Sequence, residues 1–270
     1  MHVHFLDPYQ PRQSPVHGLD GRVKLVLAVA FILATSLAPM GAWAVYILLL
    51  AFLLSAELLS EVPLRYFLTR AILALPFVLA ALPLPFTVPG SPLAEVSIGK
   101  VDLSITTEGL ARLLSIALKS WISVQMAILL TVSTPFPELL QAMRALRVPR
   151  LLVAIFGLMW RYLFVFVDEA LRLLRARTAR SSQHPQQNYR SGRTVTWRAR
   201  VTGAMAGSLF LRAFERSDRI YLAMLARGYD GEIRAKPLPP LPRSQQLLLV
   251  GGMVLFLLIW IFGQLLTLLR

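Results

Sequence analysis

The chain has 270 residues, of which 56% are hydrophobic and only 16% are charged, and its formal net charge is +14. A single soluble core does not need that much apolar surface, so the composition favours an integral membrane protein. Because the chain contains no cysteine, disulfides, thiolate metal sites and cysteine nucleophiles are excluded. The positive charge lies beside long apolar runs, so membrane lipids and acidic protein grooves are better partners for it than nucleic acid.

Five apolar runs are suited to crossing a bilayer, which takes about 20 helical residues. They cover residues 24–38, 41–57, 68–87, 110–133 and 246–268. The sequence therefore predicts an all-α integral membrane protein with about five transmembrane helices. We expect an N-terminal membrane domain of about four spans (1–133), a basic cytoplasmic or interfacial helical domain (134–244) and a C-terminal transmembrane helix (245–270).

The orientation follows from the positions of Lys and Arg, which concentrate in cytoplasmic connections. The turn near Pro39 is uncharged, and the connection 88–107 holds a single cation, Lys100. The other connections hold Arg12, Arg22 and Lys24, then Arg65 and Arg70, then the basic segment. This distribution predicts that the N-terminus and the basic segment are cytoplasmic.

Residues 151–175 are ambiguous, because they are long enough to cross a membrane but contain Arg161 near the middle and Asp168 and Glu169 further on. An arginine at the bilayer centre costs about 2.5 to 3.5 kcal/mol on insertion scales. We interpret the stretch as a helix that leaves or skims the membrane and continues into the cytoplasm, and a sixth span is the alternative.

A loop over residues 181–200 and a second basic helix over about 201–226 are predicted next. Gly228, followed by Asp230 and Gly231, marks the end of that helix. The spacing of four, three and eight places four arginines on one helical face, with Leu209, Phe210, Ile220 and Met224 expected on the other. These arginines are Arg212, Arg216, Arg219 and Arg227. Such a face is either a solvated or lipid-facing stripe or a binding surface.

Other polar residues give weaker signals. A His-x-His pair at the N-terminus, His2 and His4, has metal-binding spacing, but we interpret it as part of a tail and expect no metal site. Asp168 and Glu169 point about 100 degrees apart on a helix, so they do not form a catalytic pair and are expected to balance nearby arginines. Lys119 lies inside the fourth apolar run, where it is a functional candidate, a snorkelling residue or a subunit-boundary residue.

Two similar tripeptides end the two basic helices: Ala179-Arg180-Ser181 and Ala226-Arg227-Gly228. Longer blocks surround them: HGLDGRVKL (17–25), STPFPELLQAMRALRVPR (133–150), RYLFVFVDEALRLLRARTARS (161–181) and RSDRIYLAMLARGYDG (216–231). Through these blocks most of the chain resembles the transmembrane T component of energy-coupling factor transporters, of the EcfT/CbiQ type that serves cobalt or nickel uptake.

The resemblance implies a non-catalytic scaffold in the bacterial inner membrane, with coupling helices in an L-shaped arrangement. Its implied partners are two ATP-binding-cassette ATPase subunits, a substrate-binding membrane subunit of the CbiM type, with or without a small CbiN-type subunit, and membrane lipids. By position, Arg180 and Arg227 are the coupling arginines that enter grooves of the ATPases, with Ala179, Ser181, Ala226 and Gly228 as small neighbours. Ser181 departs from the glycine that the family often has there.

The residues leave two alternatives from other functional classes. An intramembrane enzyme needs a nucleophile with a base, or clustered carboxylates or histidines, at membrane depth. A self-sufficient channel or secondary transporter usually has internal repeats or paired broken helices, and no convincing repeat is present. The sequence contains no P-loop pattern, so we expect this chain to bind no cofactor and ATP to be hydrolysed by its partners.

Overall fold

The computed structural model describes residues 7–98, 101–180, 194–231 and 239–268. The chain forms two compact units. The bundle unit comprises residues 8–145 and 238–270, and the hairpin unit comprises residues 146–237 together with residues 1–7. The three-domain division drawn from the sequence stays a prediction.

Helices make up most of both units. In chain order they are α1 (Gly21–Leu37), α2 (Trp43–Leu59), α3 (Leu64–Arg70), α4 (Leu75–Ala81), α5 (Leu84–Thr87), α6 (Thr107–Ser133), α7 (Phe136–Ala145), α8 (Arg150–Arg180), α9 (Val195–Ala226) and α10 (Arg243–Leu268). The hairpin unit contains α8 and α9, and the bundle unit contains the others. This confirms the prediction that the membrane-spanning segments of the protein are α-helical.

By length and composition, four helical segments among the described residues can cross a membrane: Leu64–Thr87, Thr107–Ser133, Arg150–Arg180 and Arg243–Leu266. Trp43–Leu59 is a shorter apolar helix, and α1 coincides with the first predicted run. The chain is therefore a multi-pass membrane protein. Helix α8 also meets the criteria for a span. A sixth span therefore remains the alternative to the predicted five.

Prolines interrupt the third span. Its helical segments α3, α4 and α5 are separated by a 3₁₀ turn at Ala71–Ala74 and by a break before Leu84. Proline lacks an N–H and its ring clashes with the preceding helical turn, so Pro76, Pro83 and Pro85 permit only short helical pieces here.

The connection from α5 to α6 contains the one departure from an all-α fold among the described residues. Strands β1 (Pro92–Ile98) and β2 (Val101–Thr106) pair in an antiparallel hairpin. At its end, the Thr106 hydroxyl caps α6 by accepting a hydrogen bond from the Gly109 amide at 3.2 Å. A Cβ at Gly109 would lie 2.6 Å from the Leu84 carbonyl oxygen, so only glycine lets α5 approach α6 this closely.

Three aromatic rings from different helices meet in the core of the bundle unit. Phe31 of α1 stacks on Phe52 of α2 at 5.7 Å between centroids, and Phe256 of α10 meets both edge-on at 5.5 and 5.0 Å. Offset and edge-to-face rings at these distances add about 0.5 to 1.5 kcal/mol per pair beyond the burial of area. These contacts fix α10 against the first helical hairpin although the two are far apart in the sequence.

The start of α1 is set by Asp20, whose Oδ1 accepts a hydrogen bond from the Arg22 amide at 2.9 Å. The Arg22 guanidinium also contacts the same carboxylate, with Nη2 2.7 Å from Oδ2. These hydrogen bonds from Arg22 hold the pKa of the Asp20 carboxyl below its usual range. Asp20 is therefore a charged N-cap that satisfies a free amide of the first turn.

A polar pair that the sequence analysis did not identify is buried between α2 and α6. Glu57 and Gln125 are each only 1% exposed. With the amide oriented to satisfy both neighbours, the Gln125 nitrogen donates to Glu57 Oε1 at 2.7 Å, and its oxygen accepts from the Trp121 indole at 3.3 Å. The pair therefore gives α2 and α6 a directional contact in an otherwise apolar surrounding.

Lys119 of α6 hydrogen-bonds the free backbone carbonyls at the C-terminal end of the neighbouring helix α1. Its ammonium donates hydrogen bonds to the backbone carbonyls of Ser36, at 3.1 Å, and of Ala38. Next to it, the Ser115 hydroxyl accepts a hydrogen bond from the Gly41 amide at 3.0 Å. The last carbonyls of a helix have no partner within the helix, and leaving them unpaired in a bilayer is costly. The charge in this apolar run thus supports the turn between α1 and α2.

We expect Lys119→Met to lower the stability of the purified protein. Hydrogen bonds to charged groups are each worth about 1.5 to 3 kcal/mol, and for a chain of this size 1 kcal/mol corresponds to about 2 to 4 °C. The midpoint of thermal unfolding in detergent should therefore fall by about 4 °C or more. Arg112→Met removes an exposed cation from the same helix and is the matched control. Equal shifts for the two variants would contradict a capping role for Lys119.

Candidate functional site

The two long helices of the hairpin unit carry the sequence-predicted site. Helix α8 runs without interruption over 31 residues and α9 over 32 residues. Helix α9 begins at Val195, so the predicted loop over residues 181–200 is wrong for its last six residues, and residues 181–193 lie outside the described residues. The predicted end is confirmed, because α9 stops at Ala226.

Helices α8 and α9 run antiparallel. Glu169 of α8 accepts hydrogen bonds from Arg212 and Arg216 of α9, both at 3.3 Å. About two turns further along α8, Arg177 lies 3.4 Å from the hydroxyl of Thr202 and 5.8 Å from the ring centre of Trp197. Residues later in α8 therefore contact residues earlier in α9.

The predicted basic face of α9 requires correction. Arg216 is half-buried on the same stripe as Leu209, Ile220 and Met224, whereas Phe210 is 68% exposed. The reason is angular: Arg216 and Ile220 are four residues apart, so they lie on one helical face. The Arg216 guanidinium reaches Glu169 and lies 5.9 Å from the Phe166 ring centre, and its stem packs with the apolar stripe.

The pairing of Glu169 also differs from the expectation. The sequence predicted that Asp168 and Glu169 balance nearby arginines, namely Arg161, Arg172 or Arg175, but Glu169 joins two arginines of α9. Its side chain is 16% exposed, that of Arg216 31% and that of Arg212 57%. These two arginines are therefore engaged within the chain, while Arg219 is exposed and has no ion-pair partner among the described residues.

The end of α9 has a specific backbone geometry around Arg227. The Gly228 amide donates to the Leu225 carbonyl at 2.9 Å, and the Tyr229 amide donates to the Met224 carbonyl at 3.0 Å. Gly228 has a φ of 77°. This is a Schellman motif, in which glycine adopts the left-handed conformation just after the helix. Arg227 is the C-cap residue and is exposed.

The end of α8 presents the other predicted coupling arginine. Arg180 is the last residue of the helix, and both it and Ala179 are exposed. Ser181 lies outside the described residues, so the role given to it stays a prediction. No acidic group among the described residues pairs with Arg180 or Arg227. Each cation sits at a helix C-terminus, where the helix dipole favours a positive charge.

The antiparallel arrangement places the two arginines at opposite ends of the helix pair. Arg177, close to the end of α8, contacts Trp197 at the start of α9. Trp197 and Arg227 are 30 positions apart, which corresponds to about 45 Å along a helix. The two tripeptides therefore present separate cationic ends rather than one combined site.

The described acidic and histidine side chains do not form a metal-binding cluster. Across residues 7–98, 101–180, 194–231 and 239–268, no group of three or more His, Asp or Glu side chains could hold a metal ion. His2 and His4 lie outside these ranges. His17 uses both ring nitrogens structurally, with Nδ1 2.7 Å from the Ser14 hydroxyl and Nε2 3.0 Å from the Gln10 carbonyl oxygen.

Comparison with known proteins identifies the family. A family model described as "Cobalt transport protein", CbiQ, matches residues 12–238. The energy-coupling factor transporter transmembrane protein EcfT of Listeria innocua is 29% identical over 238 residues, covering 84% of this chain and 84% of that protein.

Two further relatives carry cobalt in their names. The cobalt transport protein CbiQ of Rhodobacter capsulatus is 27% identical over 213 residues, which cover 78% of this chain and 79% of that protein. A fused cobalt transport protein CbiMQ of Methanocorpusculum labreanum is 25% identical over 223 residues, covering 81% of this chain but 35% of that longer protein. The chain therefore belongs to the CbiQ family of cobalt transport proteins and is a membrane component of the EcfT/CbiQ type.

Proposed function

We propose that this chain is the non-catalytic coupling subunit of an ATP-driven energy-coupling factor transporter for cobalt, with nickel as the alternative ion. It links two cytoplasmic ATP-binding-cassette subunits to a substrate-binding membrane subunit. The observation that carries the proposal is the pair of exposed arginines at opposite ends of two antiparallel helices, Arg180 and Arg227. In this proposal the chain binds no cofactor, and its partners bind and hydrolyse ATP.

The separation of the two arginines suits a pair of ATPase subunits. A span of about 45 Å is too long for both guanidinium groups to enter one cleft, but it lets each enter a cleft of a different subunit. The ATPase pair would then act on both ends of one helical unit. Nucleotide-driven movement of the clefts shifts that unit and reorients the substrate-binding subunit.

Arginine is suited to this mechanical role. Its guanidinium is permanently charged and presents a planar set of donors that can bind a carboxylate through two hydrogen bonds. Arg212 and Arg216 already share Glu169, whereas Arg180 and Arg227 have no acidic partner among the described residues. The terminal arginines are therefore the ones available to an acidic groove of another protein.

The membrane partner is proposed from the family. The fused relative joins a CbiQ-type chain to a CbiM portion in its name, which supports a CbiM-type substrate-binding subunit beside this chain. A small CbiN-type subunit is compatible with the same assembly. We propose that the ion is selected by the substrate-binding subunit, because this chain offers no metal-ligating cluster within the described residues.

Exchanging the charge of both coupling arginines tests the proposal directly. Arg180→Glu combined with Arg227→Glu should release the ATPase subunits during purification and abolish cobalt uptake. Truncating one member of a buried charge pair costs about 2 to 5 kcal/mol, so affinity should fall well over tenfold. The matched control is Arg172→Glu with Arg200→Glu, which changes the charge of the same two helices equally at exposed positions. Intact co-purification and uptake in the Arg180/Arg227 variant would overturn the proposal.

Gly228→Ala tests whether the end of α9 must have its observed geometry. A left-handed residue with a Cβ costs about 1 to 2 kcal/mol, so we expect faster amide exchange at residues 224–229 and weaker ATPase retention. Gly203 is the matched control, because it lies inside the helix and a Cβ there also meets nothing within 4 Å. Gly203→Ala should leave exchange unchanged or slower, since alanine favours helix. Indistinguishable behaviour of the two variants would contradict the role of the Schellman motif.

The proposed location is the bacterial inner membrane, with the N-terminus and both coupling arginines facing the cytoplasm. The natural chain has no cysteine, so single cysteines introduced at Arg180, Arg227 and Thr87 report accessibility without background. An impermeant maleimide should label the Thr87 position in intact cells, and should label the two arginine positions only after permeabilisation. Labelling of either arginine position in intact cells would refute the orientation.

A further inference from the structure

A cavity of about 340 Å³ lies in the bundle unit between α1, α2, α6 and α10. On each helix the residues that line the cavity recur every three or four positions. On α6 they lie within residues 126–133, and on α10 within residues 248–255. Seven residues of helix correspond to about 10 Å. The cavity is therefore a groove about two helical turns long, and its lining is predominantly apolar.

One end of this groove carries a buried cation, Lys24. Its side chain is only 6% exposed, and its ammonium donates to the backbone carbonyls of Ser133 at 2.9 Å and His17 at 3.3 Å. An ammonium has three donors, so one remains for another acceptor. Ser133 ends α6 and His17 precedes α1, so the ammonium lies at the ends of the helices rather than near the bilayer centre.

Two acidic groups at this end, Asp20 and Glu138, interact electrostatically with Lys24, but neither forms an ion pair with its ammonium. Asp20 is bound by Arg22, and the Glu138 carboxylate lies against Gly21, where a Cβ would meet its Cγ at 2.8 Å. No carboxylate of the described residues lies within 4.0 Å of the Lys24 ammonium. The start of α10 is at the same end, because Gln245 accepts a hydrogen bond from the Asp20 amide. Arg243 therefore adds another cation to this end of the bundle unit.

We propose that this groove holds one acyl chain of a phospholipid whose anionic headgroup lies at the Lys24 end. The apolar walls and the cations at one end match the two parts of a phospholipid, an acyl chain and a charged headgroup. A flexible hydrocarbon chain can follow the apolar lining away from the charged end of the groove. At this end Arg22, Lys24 and Arg243 outnumber Asp20 and Glu138, and this excess of positive charge favours an anionic headgroup, as in other basic pockets between membrane helices. Lipid recognition goes beyond the proposed coupling function and does not depend on the ATPases.

The two adjacent glycines of α10 show how the groove can be blocked. A Cβ at Gly252 would lie 2.6 Å from Leu27 Cδ2, so that glycine is needed for helix packing. Gly251 also lines the groove, but a Cβ there meets no atom within 4 Å. Gly251→Phe therefore adds bulk to the groove without a backbone clash. Val250, 57% exposed on the same helix, is the position for a matched control.

Native mass spectrometry of the purified full chain tests the proposal. The protein is equilibrated with vesicles of equal parts phosphatidylglycerol and phosphatidylcholine. It is then solubilised in detergent, and the detergent is removed in the mass spectrometer. We expect the wild-type chain to retain a single phospholipid with a clear preference for phosphatidylglycerol. Gly251→Phe should reduce the retained fraction at least about tenfold, whereas Val250→Phe should leave it unchanged. Unchanged retention in Gly251→Phe, with an unaltered unfolding midpoint, would overturn the proposal.

The headgroup part has its own variants. Lys24→Met should remove the preference for phosphatidylglycerol. Lys24→Arg keeps the positive charge and should preserve that preference, so it remains informative if the methionine variant does not fold. Equal retention of both lipids by the wild-type chain would refute the anionic selection. If Gly251→Phe instead released a membrane partner from the complex while lipid retention stayed constant, the groove would be a protein-docking surface and the proposal would be wrong. Because the lipid assay uses this chain alone, its outcome is independent of ATPase coupling.

Discussion

The contact of one carboxylate with two guanidinium groups determines the geometry of the hairpin unit. Glu169 binds Arg212 and Arg216 across two helices that bury very little: only Ala154 is buried in α8, and no residue is buried in α9. Exposed ion pairs typically contribute about 0.2 to 1 kcal/mol each, so these pairs fix direction and register more than they add stability. The antiparallel register in turn places the two helix C-termini at opposite ends.

Direction matters because each C-terminus carries the negative end of a helix dipole. Parallel helices would bring Arg180 and Arg227 together, whereas antiparallel helices separate them by most of the length of α9. The chain has 28 Lys and Arg but only 14 Asp and Glu, so acidic side chains cannot balance every cation. Glu169 and Asp20 engage arginines within the chain, whereas the arginines at the helix ends have no acidic partner among the described residues.

The sequence predicted the helices that depend on composition and missed the contacts that depend on neighbours. Apolar runs located α2, α6 and α10 to within a few residues, because insertion into a bilayer depends mainly on local hydropathy. The polar start of α9, residues 195–200, lacks a helical pattern and was assigned to a loop. Assigning helical faces by charge placed Arg216 opposite the apolar residues of α9. This was wrong because the long apolar stem of Arg216 packs with those residues while its guanidinium pairs with Glu169.

The candidate site was predictable in part for the same reason. Gly228 marked the end of α9 because a left-handed residue after a helix is usually glycine, and the structure has φ of 77° there. The roles of Lys119 and Lys24 could not be predicted, because both bind backbone carbonyls of segments distant in the sequence. A lysine in an apolar run shows that a partner is needed without showing which one.

The two units differ in how they are stabilised, and this difference bears on coupling. In the bundle unit, side chains such as Lys119 and Thr106 satisfy backbone groups at helix ends, and aromatic rings of three helices interlock. Helix α9, by contrast, leaves large apolar side chains such as Phe210 (68%) and Phe214 (60%) exposed. A helix with so little buried surface gains most of its stability from what it packs against. In the proposed transporter, partner proteins and lipid would supply that surface, so the segment that receives the movement of the ATPases would also be the one whose structure depends most on its partners.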